Sequence, residues 1–456
     1  MPDASVISLA ALLVAIAVSC VSRANVGLLS IVLAVGVGCG LAGMKIGEVL
    51  AGFPVSLFLT LFGVTLLFTE ARLNGTLDRV AHHAVRGCRG NRGLVPVMFF
   101  FLAAVLSTAG PGNIAAAAIV APMAMAVAGR AGISAFLMAI MVGNGASAGS
   151  VSPLAPAGIV VGSVTGRIGL AGTEWLIYAY NLGAHVAVAF SGYLLFGGWR
   201  LFGQRRSSET ELAVGAASGA DSAAGAAADQ TAAAAPHPGL PAASPAGVAE
   251  PSPEAGVFQR QHVITLAVIV AWIVSVVALS ANAGAGALAG SILLGLLRLA
   301  DEAEALRKVP WGVIVMVCGV TVLIALLEKT GGMDLFSSML AAISTPQSAT
   351  AAVALVTGLI SVYSSTSGVV LPAFLPTVPG IIEKLGGGDP LALVAAMNIG
   401  SHLVDVSPLS TIGALCIASA APSEDGRRLF YKLLAWGMSM AVVGAALSWL
   451  LFTVLR

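Results

Sequence analysis

The chain has 456 residues, 58% of them hydrophobic and only 9% charged, with a net charge of +1. A soluble domain carries roughly 25% charged residues, so water is excluded as the solvent for most of this surface, and no nucleic-acid partner is expected. Apolar runs near the ~20 residues that cross a bilayer recur along the chain, which predicts an all-α, polytopic membrane protein.

In chain order, spans are predicted at about 5–22, 26–43 and 54–70, then a region at 94–128, a broken span at 132–168 and a span at 175–203. Residues 204–258 are low in complexity and rich in Ala, Gly, Ser and Pro, and they read as a disordered linker. Spans resume at about 261–280, 283–299 and 309–328, followed by a region at 349–385, a broken span at 390–421 and a last span at 428–453. The regions 94–128 and 349–385 each split at small polar residues into apolar pieces of roughly 14–17 residues. Such pieces are short for crossing, so re-entrant helical hairpins are expected there. The five cysteines are scattered singly without metal-ligand spacing and read as core residues.

The two halves, 1–203 and 259–456, can be laid on each other. ANVG from Ala24 matches ANAG from Ala281, and GVTLLF from Gly63 matches GVTVLI from Gly319. GNGASAGSVSPLAPAG from Gly143 falls on NIGSHLVDVSPLSTIG from Asn398, identical at six of sixteen positions. The offset stays between 254 and 257 throughout, which marks an internal duplication.

With the N-terminus outside, 17 Lys and Arg residues fall on the cytoplasmic side, linker included, and 5 fall outside. Each half then has five spans, an odd number, so the repeats must be inverted. Inverted repeats with paired broken elements indicate a secondary transporter.

A helix break survives in lipid only where it is buried or lines a cavity. Ser152-Pro153 and Ser407-Pro408 are expected to expose carbonyls to a cation and to aim half-helix N-termini at an anion. The hairpin tips STAGPGN (107–113) and SVYSSTSG (361–368) add neutral oxygens suited to sodium. In half one the candidate sodium ligands are Ser107, Gly110, Asn113, Gly143 and Asn144. In half two they are Ser361, Thr366, Asn398, Ser401 and Asp405. The substrate is expected between the tips, against Asn113, Ser152, Ser364, Ser365, Thr366, Ser367, His402 and Ser407. His402 and Asp405 are the ionisable groups of these elements, and such residues inside a membrane are functional candidates. The other histidines read as peripheral. No cofactor is expected beyond a coupling ion, sodium or a proton.

The first half resembles the N-terminal region of MatC-type malonate and dicarboxylate carriers of the ion transporter superfamily. The residues that carry this are VGLLS from Val26, GFPVSLFLTLFGVTLLF from Gly52, NGTLD from Asn74, GPGNIAAAAIVAP from Gly110 and SPLAPAGIVV from Ser152. Divalent anion–sodium symporters look similar more distantly; of their Ser-Asn-Thr tip signature, Asn113 alone stays in register here. The resemblance implies a dimeric elevator-type carrier of a bacterial cytoplasmic membrane, with hairpins and broken helices moving against a scaffold of the other spans. It also implies a small dicarboxylate, malonate first, as substrate. Another C4-dicarboxylate or a hydroxy acid, proton coupling and exchange stay open. An enzyme would need a dyad of His402 and Asp405 with Ser401 or Ser407, and a channel would need a continuous polar stripe; neither is expected.

Overall fold

The computed structural model describes residues 4–22, 24–86, 91–201, 258–279, 281–421 and 424–455. Apart from Phe258, the expected linker lies outside the described residues. Half one supplies α1 (Ala4–Val21), α2 (Val26–Gly40), α3 (Ile46–Leu50), α4 (Val55–Leu73) and α5 (Thr76–Arg86). It continues with α6 (Leu94–Ala109), α7 (Gly112–Ala131), α8 (Ala135–Gly149), α9 (Pro156–Arg167) and α10 (Glu174–Leu195). Half two supplies α11 (Arg260–Leu279), α12 (Ala283–Leu296), α13 (Glu302–Lys308), α14 (Trp311–Thr330) and α15 (Gly332–Ala342). The helical stretch Thr366–Leu385 follows α16 (Ala349–Ser361) and is named α17. Then come α18 (Pro390–Leu403), α19 (Thr411–Ala418) and α20 (Gly426–Trp449). Helix follows helix in the same order in both halves.

The repeated sequence signals have repeated jobs. In ANVG and ANAG the asparagine is a helix N-cap. Asn25 Oδ1 accepts the Gly27 amide at 3.0 Å to start α2, and Asn282 Oδ1 accepts the Ala285 amide at 3.0 Å to start α12. Asp389 and Asp425 cap α18 and α20 in the same way.

Eight helical stretches among the described residues are long and apolar enough to cross a bilayer. Two differences from the expected spans matter. The spans expected at 26–43 and 283–299 are helices of only 15 and 14 residues, each begun by its asparagine cap. The hairpin regions go the other way: α7 and α17 are 20 residues each, longer than the pieces read from the sequence. α7 runs through Pro122 as one helix. α17 absorbs Pro372, Pro376 and Pro379 by changing between π, α and 3-10 turns.

The halves interlock through two glycine-lined seams. In one, Gly27 of α2 packs on the backbone at Met316 and Gly319 of α14, and Gly38 packs near Leu326 further along, so α2 and α14 run parallel. In the other, Thr60 and Gly63 of α4 meet Gly284 of α12, and Leu67 meets Gly290, so α4 and α12 also run parallel. A Cβ on Gly27, Gly63, Gly284 or Gly319 would overlap the facing backbone. The two equivalent helices α4 and α14 cross antiparallel, since Gly52 lies against Ala325 while the Phe62 ring stacks on Trp311 at 5.2 Å.

Candidate functional site

The two breaks are built alike. α8 ends at Gly149 and α9 starts at Pro156; α18 ends at Leu403 and α19 starts at Thr411. The Ser-Pro pairs therefore do not begin the half-helices, as the sequence suggested, but lie three or four residues before them. The serine hydroxyls hold the turn: Ser152 Oγ accepts the Leu154 amide and Ser407 Oγ accepts the Leu409 amide, both at 3.3 Å. Each half-helix is then drawn down onto the serine carbonyl. The close approach is made at Gly158 and at Gly413, where a Cβ would overlap the Ser152 or Ser407 carbonyl oxygen. This is what the repeated S-P-L-x-x-x-G encodes. Several carbonyls expected to be free are taken up by the turn: Gly149 O accepts the Ser152 amide, Ser150 O the Gly158 amide, and Ser152 O the Ala155 amide. Proline removes one donor, and the tight turn supplies another.

Tip one is docked on break one. Ser152 Oγ donates to the Thr108 carbonyl at 2.9 Å, Ser107 packs against Gly149, and a Cβ on Gly112 would come within 3.0 Å of the Pro156 ring. Gly110 has φ 141°, and the Phe68 ring of α4 fills the space where a side chain would be. Ser107 Oγ is buried without a hydrogen-bond partner. Asn113 is half-buried, and its Oδ1 accepts the adjacent Ile114 amide at 3.0 Å.

Tip two is docked on break two through side chains. Thr366 Oγ1 lies 2.8 Å from Asp405 Oδ1 and 3.3 Å from the Ser401 carbonyl, and it touches Ser361 Oγ as well. Ser410 Oγ contacts the Asp405 carbonyl and donates to the Ser407 carbonyl at 2.9 Å. Asp405 keeps 8% of its surface accessible while Val404 and Val406 beside it keep none. Among the described residues it makes no ion pair. The cluster thus offers one carboxylate, two hydroxyls and a carbonyl, all hard oxygen donors. No group of three His, Cys, Asp or Glu fit for a metal ion occurs among the described residues.

The other candidates are dispersed. Ser365 Oγ caps α17 by accepting the Gly368 amide at 3.1 Å, and Ser364 Oγ touches Ser19 Oγ of α1. Ser367 lies in the same turn, half-buried. The Ser401 hydroxyl bonds back to Met397 O at 2.7 Å, so its carbonyl is what it presents. Asn398 donates to Val394 O at 2.8 Å, leaving Oδ1 buried and without a partner. Gly143 packs on Val406, so α8 of one half meets the break of the other. Asn144 is committed elsewhere: its Oδ1 takes the Nδ1–H of His185 at 3.0 Å and its Nδ2 donates to Ile140 O.

His402 turns its Nδ1 to Asn398 O at 3.0 Å, and its ring is fully buried. It is not bonded to Asp405, so the dyad considered above is not formed. Two histidines set aside as peripheral are buried: His185 beside Asn144, and His262, which joins α11 to the Asn74 carbonyl at 3.1 Å. Sequence reasoning also passed over Ser410, whose signal was its place three residues before Gly413, as an N-cap requires. His185 gave no such signal.

Paired broken helices with docked tips, in a chain of membrane-length apolar helices, define a multi-pass membrane protein. Among solved structures the chain is similar to the Alcanivorax borkumensis YdaH transporter, with a TM-score of 0.52 and 15% identity over 89% of this chain and 86% of that one. Its residues 1–150 match the family model described as the dicarboxylate carrier protein MatC N-terminus. No curated protein matches the chain.

Proposed function

We propose that this protein is a secondary carrier of a small dicarboxylate, with malonate the first candidate, driven by sodium. The observation that carries the reading is the Thr366–Asp405 link. It ties tip two to break two through hard oxygen donors, while the hairpin and broken-helix segments carry no lysine or arginine away from their ends to neutralise a dianion. In such a site the substrate's affinity depends on a co-bound cation, which is what coupling requires. The MatC N-terminus match over residues 1–150 supports the substrate class.

The sodium sites in this reading are Asp405, Thr366, Ser361 and the Ser401 carbonyl in half two, with Ser107, Gly110 and Asn113 in half one. The substrate sits between the two tips. The antiparallel crossing of the equivalent helices α4 and α14 supports inverted repeats. Their alternation between two scaffold positions would move the site across a cytoplasmic membrane, in a dimer with the N-terminus outside. A lone carboxylate in the site also favours a second reading, in which Asp405 carries a proton in place of sodium.

Uptake of labelled malonate into proteoliposomes, with and without a sodium gradient, tests both. Uptake stimulated by sodium supports the first reading. Uptake that follows only a proton gradient supports the second, and no uptake of any C3 or C4 dicarboxylate overturns the substrate class.

A further inference from the structure

Outside this site one buried acid has no evident job. Glu70, near the end of α4, is fully buried against α12. Its Oε1 accepts a hydrogen bond from Ser291 Oγ at 2.7 Å, and its Oε2 is buried with no partner. Among the described residues it makes no ion pair. α12 has no ionisable residue, and α13 brings Glu302, whose negative charge bears on Glu70. Arg72 is two residues on, on another face of α4, and acts on Asp78 of α5. Arg79 of α5 has interactions of its own, and His262 of α11 is engaged with Asn74. On α13, Lys308 pairs with Glu304 at 2.8 Å and Arg307 is exposed; the charged ends of α9 and α14, Arg167 and Lys329, lie at the opposite ends of those helices from their contacts with α4.

The α2–α14 seam shows that the fold does not need an acid here. Under the repeat offsets, Glu70 corresponds to Leu326 and Ser291 to Ala34, both buried in the α2–α14 seam. The molecule builds the same packing from leucine and alanine on one side and from a carboxyl and a hydroxyl on the other. A bare carboxylate with one oxygen unpartnered in a low-dielectric contact is far costlier than the neutral acid, which leaves at most one hydrogen bond unmade.

We propose that Glu70 is a proton-binding site: the folded protein holds it as the neutral acid, and loss of that proton loosens the α4–α12 seam. The ligand is a proton, bound in the scaffold away from the tips. In the neutral state one oxygen accepts from Ser291 and the other carries the proton; on release the proton leaves to solvent and the negative charge is stranded beside Gly290 and Leu67.

The test is thermal unfolding of the detergent-purified full-length chain between about pH 6 and 9 for wild type, Glu70→Gln and the double variant Glu70→Leu/Ser291→Ala. Glutamine mimics the neutral acid, and the double variant copies the protein's own other seam. The sign follows from the linkage: the stabilising form is protonated, so stability is present at low pH and lost as pH rises. Wild type is expected to fall by at least about 2 °C more than Glu70→Gln over this range. Parallel falls in wild type and Glu70→Gln overturn the proposal, as does a Glu70→Gln protein less stable than wild type at every pH. If Glu70→Gln does not fold, the double variant decides: a flat profile relative to wild type supports the site, and an unchanged pH loss overturns it. No substrate enters the measurement, so its outcome is separate from the transport reading.

Discussion

Thr366 Oγ1 and Asp405 Oδ1 stand 2.8 Å apart although 39 residues separate them in the chain. That contact joins the tip of one helix pair to the break in another, and it makes the pair a sensitive probe of the site. Thr366→Val keeps the shape and removes the hydroxyl. It should raise the sodium concentration for half-maximal uptake about tenfold, the scale of one hydrogen bond to a charged group. Thr366→Ser should restore it. Unchanged sodium dependence in the valine variant would reduce Thr366 to a packing role.

Asp405→Asn retains volume and removes the charge. Sodium stimulation of uptake is expected to vanish while the protein still reaches the membrane and unfolds cooperatively. A variant that keeps full sodium dependence would move the cation site away from tip two.

Gly158 and Gly413 are two copies of one requirement. Alanine at either should cost about 3 kcal/mol, because the added Cβ meets backbone oxygen and not a side chain that could move aside. The two losses should be similar, measured as matching drops in unfolding temperature. A tolerant Gly413→Ala would mean that break two can relax where break one cannot.

Asn144 and His185 should behave as a structural pair. A double-mutant cycle with alanine at each should give a coupling of about 1–2 kcal/mol in stability, and Asn144→Ala should leave the sodium requirement of uptake unaltered. A shifted sodium requirement would return Asn144 to the cation site.

Much of this architecture could be read from residues alone. The constant offset announced two equivalent halves, and the paired S-P-L-x-x-x-G announced two equivalent breaks. What could not be read was the direction in which each polar side chain is spent. Ser152 and Ser407 looked like ligands, but a hydroxyl two residues before an amide in a proline turn is taken up locally. Asn144 looked the same as Asn113 in sequence, and only the approach of α10 brings His185 onto it. Helix lengths at the hairpins were underestimated for a related reason. Proline reads as a stop, yet α7 passes through Pro122 as one helix. Glu70 escaped notice because it stands in an otherwise ordinary apolar span.

The crossed seams carry a consequence for how the protein is made. α2 finds its parallel partner in α14 and α4 finds its own in α12, so the small-residue faces of the first half stay uncovered until the second half has been synthesised. A nascent chain paused before α12 would hold Gly27 and Gly63 against lipid or against the insertion machinery, with nothing of its own to close on. Closure of both seams should therefore wait until α12 and α14 have been inserted. Fragment 1–203 expressed alone should be degraded, and co-expression with 259–456 should rescue it, because the seams join chains as readily as they join halves.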